Sequence, residues 1–184
     1  MRTLGVMRFV ILGAAGFGIG GATASLMLVH LGTAGFLLGP LIGGAVGGAS
    51  LALALKDFRR VLILALLSLL GLTVGVMAGL SLGSFFNYSA VAIAGIVGAV
   101  VGASLGVAFK DWRTIMVLVV AGAVGFSVGT LAAYFILLSV PIVRQLDEVG
   151  NIAITGIIGG ASLGAALGYL ERGRVAEERR PRVR

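Results

Sequence analysis

Cysteine is absent from this chain. That removes disulfides, thiolate metal sites and cysteine nucleophiles together. Histidine is nearly absent: His30 stands alone, and a metal site needs several ligands. His30 reads as a lone side chain at the outer end of a span, with pH sensing as the alternative because its charge changes near neutrality. One histidine at a membrane edge also leaves no Ser-His-Asp arrangement. Charge is scarce. Only 11% of residues are charged, where soluble domains carry about 25%. No enzyme activity, metal or cofactor is expected.

Apolar residues occupy the space that charge leaves, at 59% of 184 positions. Six stretches reach the roughly 20 apolar residues that a membrane-spanning helix needs. They are Phe9–Val29, Ala34–Leu55, Val61–Leu82, Ala90–Phe109, Ile115–Leu138 and Ile152–Leu170. None contains Asp, Glu, Lys or Arg. Proton-coupled transporters and rotary ring subunits keep a carboxylate at membrane depth, so the sequence argues against both. The glycine-rich runs lack the Lys-Ser or Lys-Thr of a phosphate loop. Short links leave no room for a soluble domain. Residues 1–184 therefore read as one all-α, polytopic membrane domain of six transmembrane helices.

The net charge of +7 does not point to nucleic acid, because no basic face carries interleaved aromatics. The basic residues mark topology instead. Thirteen of the 14 Lys and Arg fall on one side of the proposed membrane: Arg2 and Arg8; Lys56, Arg59 and Arg60; Lys110 and Arg113; and six arginines from Arg172 to Arg184. Only Arg144 lies opposite. Cytoplasmic loops carry such an excess, so both termini are expected in the cytoplasm and the chain in the cell membrane. Arg2, Arg8 and Ala22-Thr23-Ala24 mimic a cleavable signal peptide. The repeat described next uses that segment as a full helix, so it is expected to be kept. Residues 172–184 form a basic cytoplasmic tail. It reads as a topology anchor, with binding to anionic lipid as the alternative.

Four residues are written three times: Gly48-Ala49-Ser50-Leu51, Gly102-Ala103-Ser104-Leu105 and Gly160-Ala161-Ser162-Leu163. Lys56-Asp57-Phe58-Arg59 likewise matches Lys110-Asp111-Trp112-Arg113, an offset of 54 shared with the first two copies. The third copy lies 58 further on. The chain is thus expected to be three tandem helical hairpins, at about 1–57, 58–111 and 112–171. Hairpins inserted in one orientation are related by an axis along the membrane normal, which predicts a pseudo-threefold bundle.

Glycines step by four along the spans, putting them on one helix face. In lipid, helices associate through close backbone approach at such small-residue faces. Gly16 and Gly20, Gly44 and Gly48, Gly71 and Gly75, Gly98 and Gly102, Gly125 and Gly129, and Gly156 and Gly160 are the expected packing pairs. Ser50, Ser104 and Ser162 fall off the ladder face. Their hydroxyls are expected either to bond to their own helix carbonyls four residues back or to line a polar axis, with Thr73 and Ser127 as further lining candidates. Lys56, Phe58, Arg59, Lys110, Trp112 and Arg113 read as interfacial anchors. Asp57 and Asp111 are placed to cap the helices that follow, and Pro40 suits a first helical position or a kink.

Three functions fit these features. The first is a structural or assembly subunit of a membrane complex, with other membrane subunits or a second copy as partner beside the lipid bilayer. The second is a passive pore or permease for a small neutral solute along the pseudo-threefold axis. The third follows from Phe36-Leu37-Leu38-Gly39-Pro40-Leu41-Ile42-Gly43-Gly44-Ala45. That run resembles a segment of the substrate-binding S-components of energy-coupling-factor importers. The resemblance covers about ten residues. It implies binding of a vitamin-like solute on the outer side and docking onto a coupling protein and two ATPases. The long polar outer loop of that family has no counterpart here.

Overall fold

A computed structural model of the chain describes residues 3–55, 58–83, 89–139 and 147–178. These form six α-helices: α1 Thr3–Leu31, α2 Thr33–Leu55, α3 Phe58–Gly83, α4 Ala90–Val107, α5 Trp112–Ser139 and α6 Asp147–Glu178. Each is long and apolar enough to cross a membrane. The protein is an all-helical, multi-pass membrane protein. Most helices outrun their apolar stretch by several residues, because a helix continues into the interface once its backbone bonds are under way. The sixth runs past Leu170 into the expected tail, where the Arg174 guanidinium lies 5.2 Å from the Phe109 ring.

Local chemistry sets the turns. Gly32, the one residue between α1 and α2, has φ +53, a left-handed conformation that glycine adopts without steric cost. Phe36 then donates to the Gly32 carbonyl at 3.0 Å. At the end of α4 the helix tightens, Phe109 N–H reaching the Gly106 carbonyl at 3.0 Å and Lys110 N–H that of Val107 at 3.1 Å. Asp111 caps α5. Its carboxylate accepts from the backbone of Arg113 at 3.2 Å and Thr114 at 3.1 Å, and from the Thr114 hydroxyl at 2.6 Å. Asp57 lies outside the described residues.

The Thr114 hydroxyl, ahead of the two backbone donors, holds the Asp111 carboxyl below its ordinary value of 3.8. A carboxylate depressed in the fold stabilises it above the unfolded pKa, and that contribution fades as pH falls through the folded one. The cap should therefore hold through neutral pH and weaken below about pH 4. Asp111→Ala should lower the melting temperature at pH 7 and remove this share of the acid-side loss. Melts of the two proteins in detergent at pH 7 and pH 3 check both.

The helices form a closed ring in chain order, each packed on its neighbours in sequence, with α6 closing onto α1. Gly168 lies against Val6 and Gly156 against Phe17, so α6 runs antiparallel to α1. The start of α1 and the end of α6 share one end of the bundle, called here the terminal end. The ends of α1, α3 and α5 and the starts of α2, α4 and α6 lie at the far end.

Glycines sit where the backbones meet. Gly16 and Gly20 face α2, Gly71 and Gly75 face α4, and Gly125 and Gly129 face α6. The even helices look the other way. Gly44 and Gly48 face α3, Gly98 and Gly102 face α5, and Gly156 and Gly160 face α1. A methyl group at Gly98 would meet the Gly122 carbonyl, and one at Gly160 the Gly13 carbonyl.

Toward the terminal end the centre is filled. Leu51, Leu64, Val101, Leu105, Leu118 and Leu163 are each 0% exposed. All three leucines of the repeated four-residue motif are in this plug. Large apolar side chains point outward mainly from the odd helices, as with Leu62, Leu66 and Leu70 on α3 and Met116, Val120 and Val124 on α5. Such stripes, with no polar relief over several turns, suit a lipid surround.

Pro40 stands inside α2, not at its first position as the sequence allowed. The helix begins seven residues earlier, at Thr33, because the tight Gly32 turn lets it start at once. Proline lacks an N–H for the carbonyl four residues before it, here that of Phe36.

Candidate functional site: a cavity in the far half of the bundle

Above the leucine plug the six helices part. They line a half-open cavity of about 380 Å³, within the ~300–1,000 Å³ typical of small-molecule sites. Every helix contributes to the wall, including Leu28 of α1, Phe36 and Pro40 of α2, Val76 of α3, Ile93 and Ala94 of α4, Phe126 of α5 and Ile152 of α6. These residues lie toward the far end of their helices. The floor is Phe17 and Phe126, edge to face with centroids 6.0 Å apart. Each ring lies over a glycine, Phe17 on Gly47 and Phe126 on Gly159. A side chain at either glycine would displace the floor.

Among the described residues the wall carries no charged side chain, and only Thr130, Asn151 and Thr155 are polar. Thr130 donates to the Phe126 carbonyl of its own helix at 3.0 Å. Its oxygen is 3.4 Å from that of Thr155 across the α5–α6 interface. Asn151 is one helical turn before Thr155. Its Oδ1 is enclosed and has no hydrogen-bond partner among the described residues. An enclosed amide oxygen without a partner is uncommon.

The expected lining residues stand elsewhere. Ser50 faces Gly16, Ser104 faces Gly71 and Ser162 faces Gly125, each on the preceding helix. Ser50 and Ser104 donate to carbonyls three residues back, at 2.7 Å to Gly47 and 2.8 Å to Val101. Ser162 crosses to the Ala121 carbonyl of α5 at 2.8 Å. Thr73 bonds back to Leu69 at 2.9 Å, and Ser127 reaches Val91 of α4 at 3.2 Å. None of the five is in the cavity wall. These hydroxyls find carbonyls inside tight helix contacts, where the glycines leave room for them.

At the terminal end, Trp112 is 71% exposed and Lys110 and Arg113 are exposed, as suits headgroup anchors. Lys56 and the side chains of Phe58 and Arg59 lie outside the described residues. Arg60 and Arg174 both stack on Phe109, at 6.0 and 5.2 Å, contacts of the cation–π kind. His30 is exposed at the far end of α1, and among the described residues no cluster of three His, Asp or Glu side chains forms.

The polar trio escaped the sequence reading, yet a signal was present. In the register set by the repeated motif, Thr155 corresponds to Val97 and Gly43, and Asn151 to Ile93 and Gly39. In the register of the odd-helix glycines, Thr130 corresponds to Val76 and Gly21. Residues 112–171 place polar residues where the matched positions earlier in the sequence carry apolar ones. Looking for departures from the repeat, rather than identities, finds all three. Comparison with protein-family models, with curated proteins and with solved structures returned no match for this chain.

Proposed function

We propose that this protein binds a small, largely apolar solute in the far-half cavity, as a membrane-embedded substrate-binding component or permease. The cavity itself carries the reading. It opens the centre of the ring on one half only, and the leucine plug fills the other. A one-sided site suits capture followed by a change of state or handover to a partner. It suits a passive pore less well. The segment that resembles importer S-components supplies Phe36, Pro40 and Gly43 to the cavity wall. An assembly subunit would use outward-facing glycine ladders, whereas the ladders here serve contacts within the ring.

Finer features belong to the same proposal. The chain is three tandem hairpins around a pseudo-threefold axis, joined by glycine ladders. Phe17, Leu72 and Phe126 support this, since they hold equivalent repeat positions and line one cavity. Among the described residues Arg8, Arg60, Lys110, Arg113, Arg172 and Arg174 gather at the terminal end, which we place in the cytoplasm of a cell whose plasma membrane holds the protein. The cavity then faces outward.

Naphthalene binding to the protein in lipid nanodiscs, with empty nanodiscs subtracted, tests the reading. One saturable site per chain is expected. Ala94→Phe and Val76→Phe, each filling the cavity from a different helix, should abolish it while helical content is retained. Absence of saturable binding, or binding that survives both fillings, would remove the proposal. Recovery from native membranes with ATPases and a coupling subunit would make the protein an importer component. Recovery alone would make it a permease.

A further inference from the structure

We infer that the cavity selects a neutral molecule with a hydrogen-bond donor, an O–H or N–H, on an otherwise apolar body, and that Asn151 and Thr155 receive that donor. The inference rests on the solute-binding reading and names the class of solute. Charge is set aside first. Among the described residues no Asp, Glu, Lys or Arg lines the wall, and an ion taken into apolar surroundings without a counter-charge is strongly disfavoured.

The remaining polarity has a sign. Thr130 gives its proton to the Phe126 carbonyl. The proton between Thr130 and Thr155 must then come from Thr155. Both threonine protons are used within the protein, and what the two hydroxyls have left to offer is lone pairs. Asn151 Oδ1 adds an enclosed acceptor with no partner among the described residues. The Asn151 oxygen is an unspent acceptor, and a buried acceptor left unpaired is costly. A solute that brings one donor satisfies the patch while its apolar body meets the phenylalanine floor. All three polar side chains come from the third hairpin, so the donor is held on one side of an otherwise apolar chamber.

Three probes of similar shape separate the outcomes: naphthalene, 2-naphthol and 2-methoxynaphthalene. The second carries a donor, and the third keeps the oxygen but loses the proton. In nanodiscs, 2-naphthol is expected to bind about tenfold more tightly than either of the others. Asn151→Leu and Thr155→Val should each bring that ratio down towards one while naphthalene still binds. Equal binding of all three, abolished by Ala94→Phe, would overturn the donor inference and leave the cavity reading standing. Tighter binding of 2-methoxynaphthalene than of 2-naphthol would reverse the sign of the site and overturn it too. No saturable binding of any probe would defeat the solute-binding reading itself.

Discussion

A single methyl group added at Gly98 is expected to destabilise the bundle by about 3 kcal/mol, at the severe end of what overpacking costs. Gly98 and Gly122 face each other across α4 and α5, and a Cβ on either meets the other's backbone carbonyl. A side chain in the way could rotate aside. A carbonyl held in its own helix cannot, so the helices would have to separate. Separation would also weaken contacts along the rest of the interface, because lipid offers helices no hydrophobic drive to re-associate. Gly5→Ala is the control. Nothing lies within 4 Å of its Cβ position, and removing a helical glycine there should stabilise by at most about 1 kcal/mol. Unfolding in a denaturing detergent series, followed by circular dichroism, compares the two. A Gly98→Ala protein as stable as the parent would mean that α4 and α5 do not pack on these glycines.

Phe126→Ala should cost about 3–5 kcal/mol, the usual range for emptying a buried aromatic site. Phe126 is 6% exposed, lies on Gly159 and meets the edge of Phe17. The same change removes half of the cavity floor. The absence of native cysteine makes the second effect easy to follow. Val101→Cys places a thiol one helical turn below Val97 of the cavity wall, at a position that is 0% exposed. A small thiol reagent added from outside should leave it unlabelled when Phe126 is present and label it in the Phe126→Ala background. Equal labelling in both would show that the two rings do not seal the lower half.

The spans were legible because length and apolarity alone decide them, and the described helices contain all six expected stretches apart from the last two residues of the fourth. The spacing of the glycines by four could be read as a pattern on one face. Which helix each ladder meets could not be read, since Gly44 facing α3 and Gly16 facing α2 depend on the order of helices around the ring. Pro40 misled because its sequence neighbours Gly39 and Leu41 do not reveal that Gly32 already starts the helix. A hydroxyl beside a glycine gap bonds to whichever carbonyl is nearest, and for Ser162 that belongs to another helix. The cavity was least legible. A void arises from many small deficits of volume spread over six helices, and no single residue announces it.

Closure of the ring between the first helix and the last has a consequence for how the molecule is made. A ribosome delivers α1 well before α6, with α2 to α5 made in between. During that interval the backbone around Gly13, Phe17 and Phe9, later covered by Gly160, Gly156 and Gly164, stands open along one side of a growing arc. No shorter product owns a complete wall, so an arrested chain has neither a chamber nor a finished seam. Entry of α6 and closure of the cavity wall are therefore the same event.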